Sequence, residues 1–421
     1  MNDKNKGNET EKLIGTIAET VVLRDFVVRN PKFKKPNGNG EEKELTDILI
    51  PFGEDVISIQ AKSKVINTAS PADVVEKRIQ KIIDHAVGQL ANTRKMVDVG
   101  EVLFYENTHG IKVPLDSPNV KTIHGLVLVN IYDQDDAHVR IENSFVYRHN
   151  MGVHILDVAD FYAISSEIDT IPDLIDYLSA RTKLFIDSKI SPGTNELDLL
   201  ATYKTQPEII TKVLEDKHGH IVILPGAWDE YQSISGEAIK KRNELNRASY
   251  LIDMTINEMS KSIGYSPVEK NPVTGETMMP GTVEGYWAVI SELSKMKRLN
   301  RRIFGEKMKE KMEKANDPKY REGYSVLLTK PDEAILFYST DLDDRKERLS
   351  RLAVLAGTAY AAKNLRQIVA IATEPMSGHG RSFDVIAYKD VDVKNKAELK
   401  EQAKRMFDEG KHYEGYEYEG E

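Results

Sequence analysis

The chain contains no cysteine. That absence excludes disulfides, thiolate nucleophiles and cysteine zinc sites together, and it leaves any metal to oxygen or imidazole ligands. Long apolar runs are also missing: no window approaches the roughly 18–20 uninterrupted apolar residues of a membrane span. The opening MNDKNKGNETEK lacks the apolar core of a signal peptide. A cytoplasmic protein with no membrane partner is expected. No Walker motif and no dinucleotide fingerprint occur, so this chain does not supply energy coupling. Basic charge is not in excess either. A net charge of -9 argues against a protein that coats nucleic acid indiscriminately, although a local basic surface can still meet phosphates.

What is present is a chain of 421 residues, longer than the ~250–300 residues at which single cores stop growing, so two domains are expected. The pattern predicts an α/β (α+β) protein. ETEKLIGTIAETVVLRDFVVRN reads as an opening helix with Thr10 as N-cap. LTDILIPF and DVISIQAKS read as two strands around a tight turn at Gly53. SPADVVEKRIQKIIDHAVGQLANTRK is a long amphipathic helix. IHGLVLVNIYD and GVHILDVADFYAIS read as further strands, followed by a helix starting near Thr170. A mixed sheet flanked by helices is expected over residues 1–190. Residues 191–421 read as a second, mainly helical domain with a small sheet, serving sensing, target recognition or oligomerisation. HIVILP is expected as a strand within it, and the acidic tail HYEGYEYEGE as disordered.

One stretch, EKELTDILIPFGEDVISIQAKSK, raises a chemical question. The period of two puts Gln60 and Lys62 on one face of a strand, and Asp47 opens the neighbouring strand. Two adjacent antiparallel strands bring all three to one spot. Hydrolysis of a phosphodiester needs a divalent cation, an oriented water and a positive group against the developing charge. An Asp oxygen, a second side-chain oxygen and the intervening carbonyl suit magnesium, and a Lys beside them supplies the charge. Glu19 on the preceding helix offers a further acidic group at that edge.

At these residues the sequence resembles the PD-(D/E)xK superfamily of restriction-endonuclease-like nucleases. Asp47 stands for the motif aspartate, Gln60 for the second acidic residue and Lys62 for the lysine, as in the D…QxK variant of Mrr-type bacterial defence nucleases. Glu19 resembles the acidic residue many members carry on the first helix, and Gln89 the Gln or Tyr on the helix after the lysine. The resemblance spans roughly residues 10 to 185. It implies a restriction-endonuclease-like N-terminal domain, Mg2+ (or Mn2+) held by Asp47, Gln60 and Glu19, DNA as substrate, and a role in restriction or antiviral defence. A homo-oligomer and a partner defence protein are expected alongside. Because an amide brings no charge, Gln60→Glu is expected to keep activity at a lower metal requirement.

Other features are weaker. His218 and His220 flank a glycine and read as a turn, and SGHG at 377–380 lies between two strands, not ahead of a helix. KMKRLNRR opens a basic helix in which Lys297, Arg298, Arg301 and Arg302 are candidates for phosphate contact. No aromatic-rich RNA-binding signature occurs. A non-catalytic DNA-binding scaffold and a subunit active only with a partner both remain open.

Overall fold

The structure is a computed structural model that describes residues 3–22, 24–34, 42–99, 104–106, 112–114, 119–191, 193–261, 269–270, 277–278, 283–376, 382–391 and 396–407. The mixed α/β architecture expected from the pattern is present. The chain divides into two compact units, residues 1–242 and 243–421. The acidic tail lies outside the described residues.

The first unit opens with α1 (Asp3–Val22), two turns earlier than Thr10. Thr10 is buried inside this helix and accepts from Asn130 Nδ2 at 3.2 Å. The early turns hold because Lys6, although charged, is buried against the Tyr132 ring and paired with Asp136. The end of the opening segment is not helical: a short 3-10 turn, Arg24–Phe26, leads into β1 (Val28–Arg29). A small ladder, β2 (Lys32–Lys34) with β3 (Glu42–Glu44), precedes β4 (Ile48–Phe52) and β5 (Asp55–Val65). β4 and β5 form an antiparallel hairpin in which Ile48 faces Ile59 and Phe52 faces Asp55. Gly53 takes φ +60 in its two-residue turn, a backbone region glycine enters without a Cβ penalty.

α2 (Ala72–Val99) then crosses over and packs on β5 and β8 (Thr122–Tyr132), with the short pair β6 (Phe104–Glu106) and β7 (Lys112–Pro114) between. β8 runs parallel to β5 over its whole length. β9 (His138–Val139) pairs with β8, and β10 (Ser144–Arg148) with β11 (Met151–Asp157) completes a seven-stranded sheet in the order β1-β4-β5-β8-β11-β10. GVHILDVADFYAIS is therefore half strand. Asp157 caps α3 (Val158–Glu167) by accepting from Ala159 N, which ends β11 there.

α4 (Ile171–Ile186) starts as expected, with Thr170 as N-cap. The expected boundary at 190 is overtaken by packing. α5 (Glu196–Thr205), α6 (Pro207–Glu215) and the start of α7 (Ala227–Asn246) belong to the first unit. Leu184, Ile190, Leu199, Ile210 and Ile221 form one apolar cluster across the expected boundary. Buried Arg181 adds a two-toothed ion pair to buried Glu196, with Nε at 2.9 Å and Nη2 at 2.8 Å from Oε2. HIVILP forms only the single bridge Ile190 to Ile221.

The second unit contains α8 (Ser249–Lys261), the short pair β12 (Glu269–Lys270) and β13 (Thr277–Met278), α9 (Val283–Ser294) and α10 (Arg298–Asn316). The basic run thus breaks into two helices at residues 295–297. A four-stranded sheet follows from β14 (Glu322–Lys330), β15 (Glu333–Thr340), β16 (Gln367–Thr373) and β17 (Asp384–Lys389), in that order, with α11 (Arg345–Lys363) crossing between the parallel β15 and β16. α12 (Lys396–Phe407) packs on α11. The succession helix, hairpin, crossover helix, parallel strand occurs in both units.

Candidate active site at the hairpin

Asp47 is the last residue before β4, so the hairpin register places it beside Gln60 and two residues short of Lys62 on β5. The structure brings the three together. The Lys62 ammonium donates to Gln60 Oε1 at 2.8 Å and lies 3.7 Å from Asp47 Oδ2. Asp47 is buried and accepts the Ala61 backbone N–H at 2.6 Å through the same oxygen. Gln60 does not face solvent, as strand glutamines commonly do. It is 2% exposed, and its Nε2 donates to Thr46 Oγ1 at 3.2 Å.

Two acidic residues that sequence reasoning missed stand close by. Burial raises the Glu11 carboxyl above its ordinary range, the Asp47 charge adds to this, and Lys62 opposes it. Glu44 is raised by desolvation of its carboxyl and then by Asp47 and Glu11, although its side chain is largely exposed. Glu44 and Asp47 share a hydrogen bond that favours the proton on Glu44. Burial also raises Asp47 itself, against the pull of Lys62 and the Ala61 N–H. Three neighbouring carboxyls face one ammonium, and their mutual repulsion is the kind of setting a divalent cation would relieve.

The helix acid named from the sequence lies elsewhere. Glu19 accepts from Arg29 Nε at 2.8 Å, and eight residues along α1 separate it from Glu11 by about 12 Å. Gly15 makes room for this pair, since a Cβ there would meet the Arg29 guanidinium at 2.6 Å. Gln89 is partly buried on α2, with a buried Oε1 that has no hydrogen-bond partner among the described residues. One turn on, Thr93 donates to Leu45 O at 2.9 Å, which ties this face of α2 to the segment leading into Asp47.

Among the described residues no group of three His, Asp or Glu side chains is placed to hold a metal ion. The oxygen donors that converge are therefore the Asp47 carboxylate and the Gln60 carbonyl, with Glu11 and Glu44 acting through their charge. These are hard oxygen ligands of the kind magnesium and manganese take.

The basic helix does not present what its letters suggest. Arg301 is 1% exposed and donates to Met296 O, Ser294 O and Asp253, while Arg298 donates to Asp253 Oδ2 at 2.7 Å and lies over the Tyr250 ring. Both guanidiniums fasten α10 to α8, and Arg301 also ties it to the end of α9. Lys297 is the N-cap residue of α10, and Arg302 is partly exposed. His220 bonds Ser188 O and Ser191 Oγ in the turn expected for it. The second unit also holds a cavity of about 390 Å3, lined by Met296, Ile303, Leu327, Leu328 and Pro331, with Lys295 and Asn300 at its side. None of the hairpin residues borders it.

Comparison with protein-family models, with curated proteins and with solved structures finds no match to this chain. No helix among the described residues is long and apolar enough to cross a membrane.

Proposed function

We propose that the first unit is a metal-dependent nuclease of the PD-(D/E)xK kind that hydrolyses DNA phosphodiester bonds. The observation that carries this reading is the meeting of Asp47, Gln60 and Lys62 on one hairpin, with the Glu11 and Glu44 carboxyls coupled to Asp47 beside them. Asp47 and Gln60 would hold a magnesium or manganese ion, which supplies Lewis-acid polarisation of the phosphoryl oxygen. Lys62 reaches the same spot with a positive donor that orients the attacking water and meets the charge developing on the phosphate. Glu11 and Glu44 add attraction for the cation, which a neutral Gln60 alone would leave weak. Asp47 and Gln60 are buried and held by hydrogen bonds to the Ala61 N–H, Thr46 and Lys62, as a positioned site requires.

Restriction or defence against foreign DNA is the setting the resemblance suggests for such an activity, with the second unit choosing target or trigger. A second reading, a DNA-binding protein that keeps this arrangement without cleaving, is favoured because no three acidic or imidazole side chains among the described residues are placed to hold a metal ion together. Incubation of supercoiled plasmid with the full chain in magnesium, in manganese and in EDTA separates the two. Nicking or linearisation in either metal that stops in EDTA and is lost in Asp47→Ala supports the nuclease. Binding without cleavage in all three conditions supports the second reading.

A further inference from the structure

Gln60 is held by a hydroxyl network whose protons can be counted. Thr46, 1% exposed, donates its only hydroxyl proton to Ile59 O at 2.8 Å. Its oxygen has two lone pairs. Ser58 Oγ fills one at 3.0 Å, and Gln60 Nε2 fills the other at 3.2 Å. The Thr46 oxygen therefore faces position 60 purely as an acceptor. An amide satisfies it with N–H, and the other end of that amide, Oε1, then points to Lys62 at 2.8 Å. A carboxylate at position 60 would set oxygen against oxygen. The conflict is relieved if Thr46 turns its proton toward position 60, at the cost of its hydrogen bond to Ile59 O.

We infer that Thr46 is a positioning residue for the candidate site: its committed hydroxyl selects an amide at position 60 and aims the amide oxygen at the spot shared by Lys62 and Asp47. The inference rests on the nuclease reading above. It reverses the expectation for Gln60→Glu, because the added charge arrives together with a broken hydroxyl network. The neutral residue in the second motif position follows from the residue before Asp47.

Two measurements test this, and neither uses cleavage. In EDTA, urea unfolding of wild type, Thr46→Val, Gln60→Glu and the double variant forms a double-mutant cycle. The unfolding constant should respond to Gln60→Glu about tenfold less in the Thr46→Val background, where no lone pair faces position 60. Equal responses in both backgrounds overturn the pairing. Binding of Mn2+ in the absence of DNA, followed by electron paramagnetic resonance, tests the aim of the amide. Thr46→Val should weaken Mn2+ roughly tenfold, as loss of an outer hydrogen bond to a ligand does, and Thr46→Ser, which keeps the hydroxyl, should stay within about twofold of wild type. Wild-type affinity in Thr46→Val overturns the positioning role and leaves the nuclease reading standing. A wild type that binds no Mn2+ instead overturns the reading of the site itself.

Discussion

Glu19 is bonded to Arg29, with Nε donating to Oε1 at 2.8 Å, and Glu11 is the α1 residue whose charge is coupled to Asp47 and Lys62. Under the nuclease reading proposed above, the two glutamates should differ in effect. Glu11→Gln removes an acidic group coupled to Asp47 and should raise the magnesium needed for half-maximal cleavage about tenfold. Glu19→Gln should leave that midpoint unchanged. Titration of plasmid cleavage against magnesium for both variants checks the assignment, and a shift with Glu19→Gln alone would restore the original helix acid.

Arg301 offers a second contrast. Its buried guanidinium pairs with Asp253 and satisfies two carbonyls, so Arg301→Ala should destabilise the second unit by about 3–5 kcal/mol, the cost of breaking a buried ion pair. Urea unfolding followed by circular dichroism measures this. A stable Arg301→Ala variant whose DNA binding loses salt dependence would return the residue to phosphate contact.

Gly305 sits in mid-helix, where glycine is unfavourable by about 1 kcal/mol relative to alanine. Its reason is contact: a Cβ there would lie 1.9 Å from the Ala248 carbonyl oxygen. Gly305→Ala should therefore cost about 3 kcal/mol or more by overpacking, despite the better helix propensity. Thermal unfolding of the variant gives the sign directly, since a raised melting temperature would contradict the close approach.

Trypsin should spare Lys189. The residue is buried, and its ammonium donates to Val213 O at 3.0 Å, Leu214 O at 2.9 Å and Asp216 O at 3.0 Å. Mass spectrometry of the first fragments should find no terminus at this residue. A dominant early cut there would mean that a domain boundary does lie near residue 190.

Buried His124 has its pKa lowered to about 4 by desolvation, from an ordinary 6.5, and among the described residues its Nε2 has no hydrogen-bond partner, the Asp55 carboxylate standing 3.9 Å away. The unfolded chain takes up this proton more readily than the folded one. Stability is therefore full above pH 6.5 and falls as pH drops from 6.5 toward 4, by about 3 kcal/mol at 1.36 kcal/mol per pH unit. His154, lowered well below its ordinary value, acts in the same direction. The raised carboxyls of Glu11, Glu44 and Asp47 act oppositely, because their protonation favours the folded state as pH falls. Replacement of His124 by Leu should flatten the fall in urea midpoint across this window, and an unchanged slope would assign the pH dependence elsewhere.

The hairpin chemistry was legible because a period of two is rigid: once β4 and β5 pair, Asp47, Gln60 and Lys62 have one place to go. Glu11 was not, since α1 carries several glutamates and the one that meets Asp47 depends on where the helix crosses the sheet. Thr10 mimics a cap, yet a buried Lys6 with two partners lets the helix begin earlier. Arg301 was misread because charged letters at helical spacing do not tell which side faces the neighbouring helix. The boundary at 190 failed for a related reason. Pro, Gly and Asn describe the local backbone of residues 187–198, whereas Ile190 and Glu196 are fastened by residues distant in sequence.

Apart from Glu11, the groups gathered at the candidate site lie within residues 44–62, in a segment that closes on itself through a two-residue turn. Such a hairpin is at best marginally stable alone in water, and its parallel neighbour β8 begins only at Thr122. During synthesis the chemical groups thus meet early and become rigid late. A nascent chain carries the letters of the site long before β8 can brace them, so the cleavage proposed above would await docking of β8 behind the α2 crossover.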